Sequence, residues 1–133
     1  MARSILDTSV LIRHWIAGRG NTPFVDITER EARRWADQVI ELHQTKAIVT
    51  PVVVEMIAGV RSRQELKLLR AFLGRFEVVD ERHIPAQDWQ ETERIAQRVP
   101  RDGKPRQMGD CLIRAIANRL RYEVIAYDDS FPG

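Results

Sequence analysis

Four acidic residues, Asp7, Glu55, Asp110 and Asp128, stand where their surroundings make a carboxylate hard to explain as ordinary surface charge. Asp7 ends the apolar run Ser4-Ile5-Leu6, and Glu55 interrupts Val52-Val53-Val54 and Met56-Ile57. Asp110 opens the helical stretch Cys111 to Arg121, and Asp128 follows the strand-like run Glu123 to Tyr127. A carboxylate among apolar groups is costly unless it is paired, protonated or bound to a cation. Four of them, far apart in sequence but each at an element end or in an apolar helix, point to one shared divalent metal. Hard cations such as Mg²⁺ take a few carboxylates plus substrate phosphates as ligands. Such an ion makes water more acidic and offsets charge building on a phosphate, so the set fits hydrolysis of a phosphodiester.

Taken singly, most of the four have a plainer role. Asp110 could serve the first turn of its helix, Asp7 could cap the helix beginning near Ser9, and Asp128 could be a turn residue. Glu55 has no capping role in the middle of an apolar helix. Other chemistries lack their motifs. His14, His43 and His83 fall on or beside separate helices without zinc spacing, and read as surface or packing residues. There is no Walker-A loop, no GxGxxG and no GxSxG elbow. The single cysteine, Cys111, excludes an intrachain disulfide, fits a reducing cytoplasm and reads as core packing.

The elements that must carry these acids alternate. Strands are expected at Arg3–Leu6, Lys46–Val49, Phe76–Val79 and Glu123–Tyr127. A helix over Ser9–Ala17 is stopped by Gly18-Arg19-Gly20, and residues 18–27 form a loop carrying Pro23. Thr28-Glu29-Arg30-Glu31 has capping-box spacing, and its helix places Ala32, Trp35, Ala36, Val39, Ile40 and His43 at helical intervals. Thr50-Pro51 reads as an N-cap with proline in the first helical position, opening a helix to Ala58 that is apolar on nearly every side and should be buried. Gly59 closes it. Ser62-Arg63-Gln64-Glu65 is a second capping box, and the helix after it carries Leu66, Leu69, Phe72 and Leu73 as far as Gly74. That stripe either packs on the sheet or serves a dimer. Pro85–Val99 is expected as a helix with Trp89, Ala96 and Val99 inward, and Gly109–Arg121 as one with Leu112, Ala115, Ile116 and Leu120 on one face. Strands separated by helices imply right-handed crossovers and a mainly parallel central sheet flanked by helices, an α/β/α sandwich. Ligands of such sheets lie beyond the carboxyl ends of the strands, where all four acids can meet.

A chain of 133 residues fits one domain, 1–133, and its 44% hydrophobic and 30% charged residues are ordinary for a soluble protein. No membrane span and no signal peptide are expected. The net charge of +2 does not by itself argue nucleic-acid binding. The positive charge is mostly arginine, 18 Arg against 3 Lys, and guanidinium forks match phosphate oxygens. The turn-rich loop Pro100 to Arg106 supplies Arg101, Lys104 and Arg106 as candidates to hold an RNA backbone, or simply as a solvated loop.

Four segments resemble the PIN-domain ribonucleases, most closely the VapC-type toxins of toxin–antitoxin pairs. They are Ile5-Leu6-Asp7-Thr8-Ser9-Val10-Leu11-Ile12, Thr50 to Val60 around Glu55, Met108 to Ala117 around Asp110, and Ile125-Ala126-Tyr127-Asp128-Asp129-Ser130-Phe131. Two positions depart from the family: Ala126 stands where it often has threonine or serine, and Ser130 where it often has a second aspartate. Asp128 fits the fourth acidic position better than Asp129. Thr8 and Ser9 match positions that the family uses to orient the first aspartate. The resemblance implies Mg²⁺- or Mn²⁺-dependent endonucleolytic cleavage of RNA, homodimerisation, and inhibition by a small antitoxin. A non-catalytic PIN-like module that binds RNA or scaffolds a complex is the alternative, weakened by all four acids being present. A receiver-type phosphoacceptor domain would want paired acids after the first strand and a lysine after a late one, and neither is found.

Overall fold

Strand β1 (Arg3–Leu6) pairs in parallel with β4 (Tyr122–Ile125), and β2 (Ala47–Ile48) pairs in parallel with β3 (Glu77–Val78). Around them lie α1 (Thr8–Arg19), α2 (Glu29–His43), α3 (Thr50–Ala58), α4 (Arg63–Leu73), α5 (Ala86–Ala96) and α6 (Met108–Leu120). A single 3₁₀ turn, Phe24–Asp26, bridges α1 and α2. This computed structural model describes residues 3–98, 103 and 105–133. The α/β architecture expected from the alternation is present in one domain. Among the described residues, the four strands form two parallel pairs rather than one continuous ladder. Beside that break, the Thr45 hydroxyl donates to the carbonyl of Ser4 at 2.7 Å. Strands β2 and β3 span two residues each, shorter than their apolar runs, yet their pairing reaches one residue further: the Glu77 amide donates to the Lys46 carbonyl at 2.8 Å and the Val79 amide to the Ile48 carbonyl at 2.9 Å.

The core is built where the strands' apolar residues meet the helices. Ile5, Leu6 and Ile48 are fully buried against Val10, Leu11, Val39, Val52, Leu69, Phe72, Ile113 and Ile116. Trp15 of α1 meets Trp35 of α2 edge-on at 5.5 Å and Phe72 of α4 at 5.2 Å, which locks three helices together. The Leu69, Phe72 and Leu73 stripe of α4 lies inside this core, with Leu66 half-buried beside it, so it is not a free dimer face.

Several local expectations are corrected. Gly18 does not stop α1, which runs on to Arg19. A Cβ on Gly18 would lie 2.4 Å from the Trp35 ring, so glycine there permits close packing of two helices. Thr28 forms the expected capping box with Glu31. Ser62 accepts from the Glu65 amide, but the Glu65 carboxylate turns to the Arg61 amide, one residue short of the box. Helix α3 begins at Thr50, so Pro51 is its second residue and Val49, whose side chain makes no capping bond, holds the cap position. The missing cap comes from the buried Asp80, which follows β3. Its carboxylate accepts from the Thr50 amide at 3.1 Å and the Thr50 hydroxyl at 2.8 Å.

Helix α5 turns the opposite way from its apolar pattern. Asp88, Thr92 and Ile95 face inward, whereas Trp89 is 47% exposed and Ala96 is exposed. The reason is an ion pair: the Arg119 guanidinium donates to Asp88 at 2.8 Å, and Asp88 is 1% exposed. Leaving that charge buried without its partner would cost more than exposing one ring. Ile95 then closes a small cluster with Cys111 and Ala115 of α6, which agrees with Cys111 as packing. Val99, the third residue expected inward, lies outside the described residues.

Candidate active site

Because β1 and β4 are parallel, their carboxyl ends reach the same rim, and Asp7 and Asp128 follow them there. The ladder continues past the strands: the Asp7 amide donates to the Ile125 carbonyl at 2.9 Å, and the Tyr127 amide donates to the Ser9 hydroxyl oxygen at 3.0 Å. Asp7 is 2% exposed and is itself the N-cap of α1. Its Oδ2 accepts from the Ser9 amide at 3.2 Å and the Ser9 hydroxyl at 2.7 Å. The capping role open to Asp7 is therefore real, but it uses one oxygen. Oδ1 is buried, and no donor among the described residues reaches it. A buried carboxylate oxygen without a donor is expensive, and a cation is one of the few groups that removes the cost.

Asp128 repeats the device. Its Oδ1 accepts from the Ser130 amide at 2.9 Å and the Ser130 hydroxyl at 2.7 Å. Asp-x-Ser thus occurs at both strand ends, Asp7-Thr8-Ser9 and Asp128-Asp129-Ser130, and the serine at the third position holds the aspartate by two bonds. Ser130, which departs from the family pattern, therefore has a defined function in orienting its neighbour.

Glu55 is placed differently from the expectation of burial: it lies on the exposed side of α3, as does Val54 at 58% exposure. Half of this helix faces outward because α3 packs on α1, α4 and α6 through Val52, Val53 and Met56. The Glu55 carboxylate nonetheless turns to the rim, where the Thr8 hydroxyl donates to its Oε1 at 2.8 Å. Its Oε2 lies against Gly109, where a Cβ would stand only 2.8 Å away. In the sequence Gly109 reads only as the start of a helix, and its role in admitting this carboxylate depends on a contact between α3 and α6.

Asp110 is the third residue of α6, in a first turn whose amides favour negative charge. Its pKa is nevertheless raised to about 6, first by burial and then by the charges of Asp7, Glu55 and Asp128. Desolvation and three like charges outweigh a helix-end effect of roughly 1 kcal/mol or less. The charges of Asp7, Glu55 and Asp128 thus all act on Asp110. Among the described residues, no three such side chains form a ready-made metal cage.

Arg106 is held by a bond from its Nε to the Arg98 carbonyl at 3.1 Å, while Arg101 and Lys104 lie outside the described residues. His14 and His43 both bond to the Tyr127 hydroxyl, a link that only the tertiary structure reveals. Among the described residues, no helix is long and apolar enough to cross a membrane.

The PIN domain profile covers residues 4–132, and the chain belongs to that family. PIN domains are generally nucleases or RNA-binding proteins, and the nucleases typically use divalent metals. No curated protein matches the chain.

Proposed function

We propose that this chain is a metal-dependent endoribonuclease, the toxin of a VapBC-type toxin–antitoxin module, with Asp7, Glu55, Asp110 and Asp128 as its metal-holding acids. The observation that carries the reading is the donor set: a buried Asp7 oxygen without a donor among the described residues, beside Asp110, whose pKa is raised to about 6 by burial and then by the charges of Asp7, Glu55 and Asp128. These are oxygen donors only, which suits Mg²⁺ or Mn²⁺ better than a softer ion. When bound, such a cation makes water more acidic and offsets charge on the scissile phosphodiester. The chain's own part is to hold the donors. Ser9 orients Asp7, Thr8 orients Glu55, and Ser130 orients Asp128. In this reading Arg106, together with Arg101 and Lys104 of the same loop, holds the RNA backbone.

The resemblance to VapC-type toxins extends the proposal to a cytoplasmic setting, a second copy of the chain and a small antitoxin. The α4 stripe is already used in the core. Ile12 and Ile16 of α1 and Val54 of α3, exposed by 43%, 62% and 58%, remain for such partners to cover.

The test is RNA cleavage with Mg²⁺ or Mn²⁺ by the wild type, Asp7→Asn and Asp110→Asn. Asparagine still caps a helix, so Asp7→Asn keeps the fold. Each variant is expected to lose on the order of 100-fold or more in rate, the equivalent of several kcal/mol of charge stabilisation. Full cleavage by either variant, or cleavage by the wild type in excess chelator, overturns the assignment. RNA binding without metal-dependent cleavage would favour the non-catalytic alternative.

A further inference from the structure

The proposed chemistry leaves one cluster of titratable side chains unused, and it adjoins the acids. The Tyr127 hydroxyl lies 3.1 Å from Nε2 of His14, on α1, and 2.5 Å from Nε2 of His43, the last residue of α2. The Arg13 guanidinium sits over the Tyr127 ring, 4.6 Å from its centre. A phenol has one proton to give and lone pairs to accept with. Donating to one imidazole and accepting from the other satisfies all three groups, provided both rings are neutral and of opposite tautomer. Burial lowers the pKa of both imidazoles, and at His14 the charges of His43 and Arg13 lower it further.

The peptide that carries this ring is the one between the two aspartates. The Tyr127 amide donates to Ser9 Oγ, and the same hydroxyl spends its single proton on Asp7 Oδ2. On the other side, Tyr127 is followed directly by Asp128. A ring needed only to fill space would not have to carry a hydroxyl aimed at histidines from two different helices.

We propose that Tyr127 is a positioning residue: clasped between His14 and His43, it fixes the backbone that orients Asp7 through Ser9 and presents Asp128. The inference rests on the reading that these acids hold a divalent cation. Tyr127 itself supplies no ligand. Changing a residue that supports a metal ligand in this way typically costs roughly 10- to 100-fold in affinity or activity.

The experiment uses the full chain and measures Mn²⁺ affinity by calorimetry, together with kcat and KM on RNA. Tyr127→Phe keeps the ring and loses only the clasp. It is expected to bind Mn²⁺ roughly tenfold more weakly and to lose kcat in proportion, with KM for RNA unchanged. Ser9→Ala should do the same. The double variant should be little worse than the worse single one, because both act along one chain of contacts. His43→Gln, which keeps a hydrogen-bonding group, should fall between wild type and Tyr127→Phe, and it carries the test if Tyr127→Phe does not fold. Wild-type Mn²⁺ affinity in Tyr127→Phe or, failing that variant, in His43→Gln overturns the proposal, as does full additivity in the double variant. If the wild type binds Mn²⁺ but cleaves no RNA, the ribonuclease reading falls while the affinities still decide the clasp. If it binds no Mn²⁺, both fall.

Discussion

Gly109 separates what the site needs from what the fold needs. A Cβ at this position would stand 2.8 Å from Oε2 of Glu55 and 3.1 Å from Oε1. The obstacle is the far end of a flexible, exposed side chain, so the protein can relieve the clash by swinging the carboxylate away. Glycine inside a helix is also less favourable than alanine by about 0.5–1 kcal/mol. Gly109→Ala is therefore expected to leave the melting temperature level or raise it slightly, while weakening Mn²⁺ binding and slowing cleavage by tenfold or so, as for other disturbances of a ligand's surroundings. Calorimetry and a cleavage assay on one preparation check both halves. A variant that cleaves normally would mean that Glu55 has no part at the rim, and one that melts early would mean that its carboxylate cannot swing away.

Among the elements, α3 owes its start to a residue 30 positions away. The Asp80 carboxylate replaces the cap that Val49 cannot provide and satisfies both the amide and the hydroxyl of Thr50. Asp80→Ala would leave these donors facing a buried gap, at a cost of about 1–3 kcal/mol. Denaturant unfolding should show a lower midpoint with an unchanged slope, since the core residues still pack. Because α3 also carries Glu55, cleavage should fall more in Asp80→Ala than in a control of equal stability loss elsewhere. Asp88 and Arg119 do the comparable work between α5 and α6, where the pair decides which face of α5 is covered.

For the whole molecule, the acids and the histidines set opposing responses to pH. Asp110 rises from 3.8 when unfolded to about 6 when folded, so the native state holds its proton more tightly. Its contribution to stability is present below 3.8 and lost as pH climbs through about 6. His14 and His43 are shifted downward from 6.5, so their contribution is present above 6.5 and lost as pH falls. In the metal-free protein the two slopes therefore oppose each other between about pH 4 and 6.5. Asp110→Asn should unmask the histidine slope and be the more stable form at neutral pH, because one of four like charges is gone. Protons compete with a cation for the carboxylates, so millimolar Mg²⁺ should raise the melting temperature more at about pH 8 than at about pH 5.5. Melting curves across this range check all three statements, and an Asp110→Asn variant with the wild-type profile would contradict the shift.

The acids were legible as candidates because a carboxylate in an apolar run has few explanations, and local patterns carry β1, α2 and α6 to within a residue or two. The capping box at Thr28 was legible for the same reason: its partners are three residues apart. What the chain order concealed were choices made between distant segments. Asp88 reverses α5 because its partner is Arg119, α3 is capped from Asp80, and Gly18 is small because Trp35 lies against it. Glu55 proved exposed yet turned inward, held by Thr8 and admitted by Gly109. Periodicity reports which side of an element is apolar, but burial of a charge is settled by whether a partner reaches it, and that depends on how the elements are packed. The amino-acid sequence by itself determined the α/β class and singled out the four acids as candidates; only the tertiary structure decided which side chains orient them, since hydrogen bonds act over about 3 Å whatever the separation along the chain.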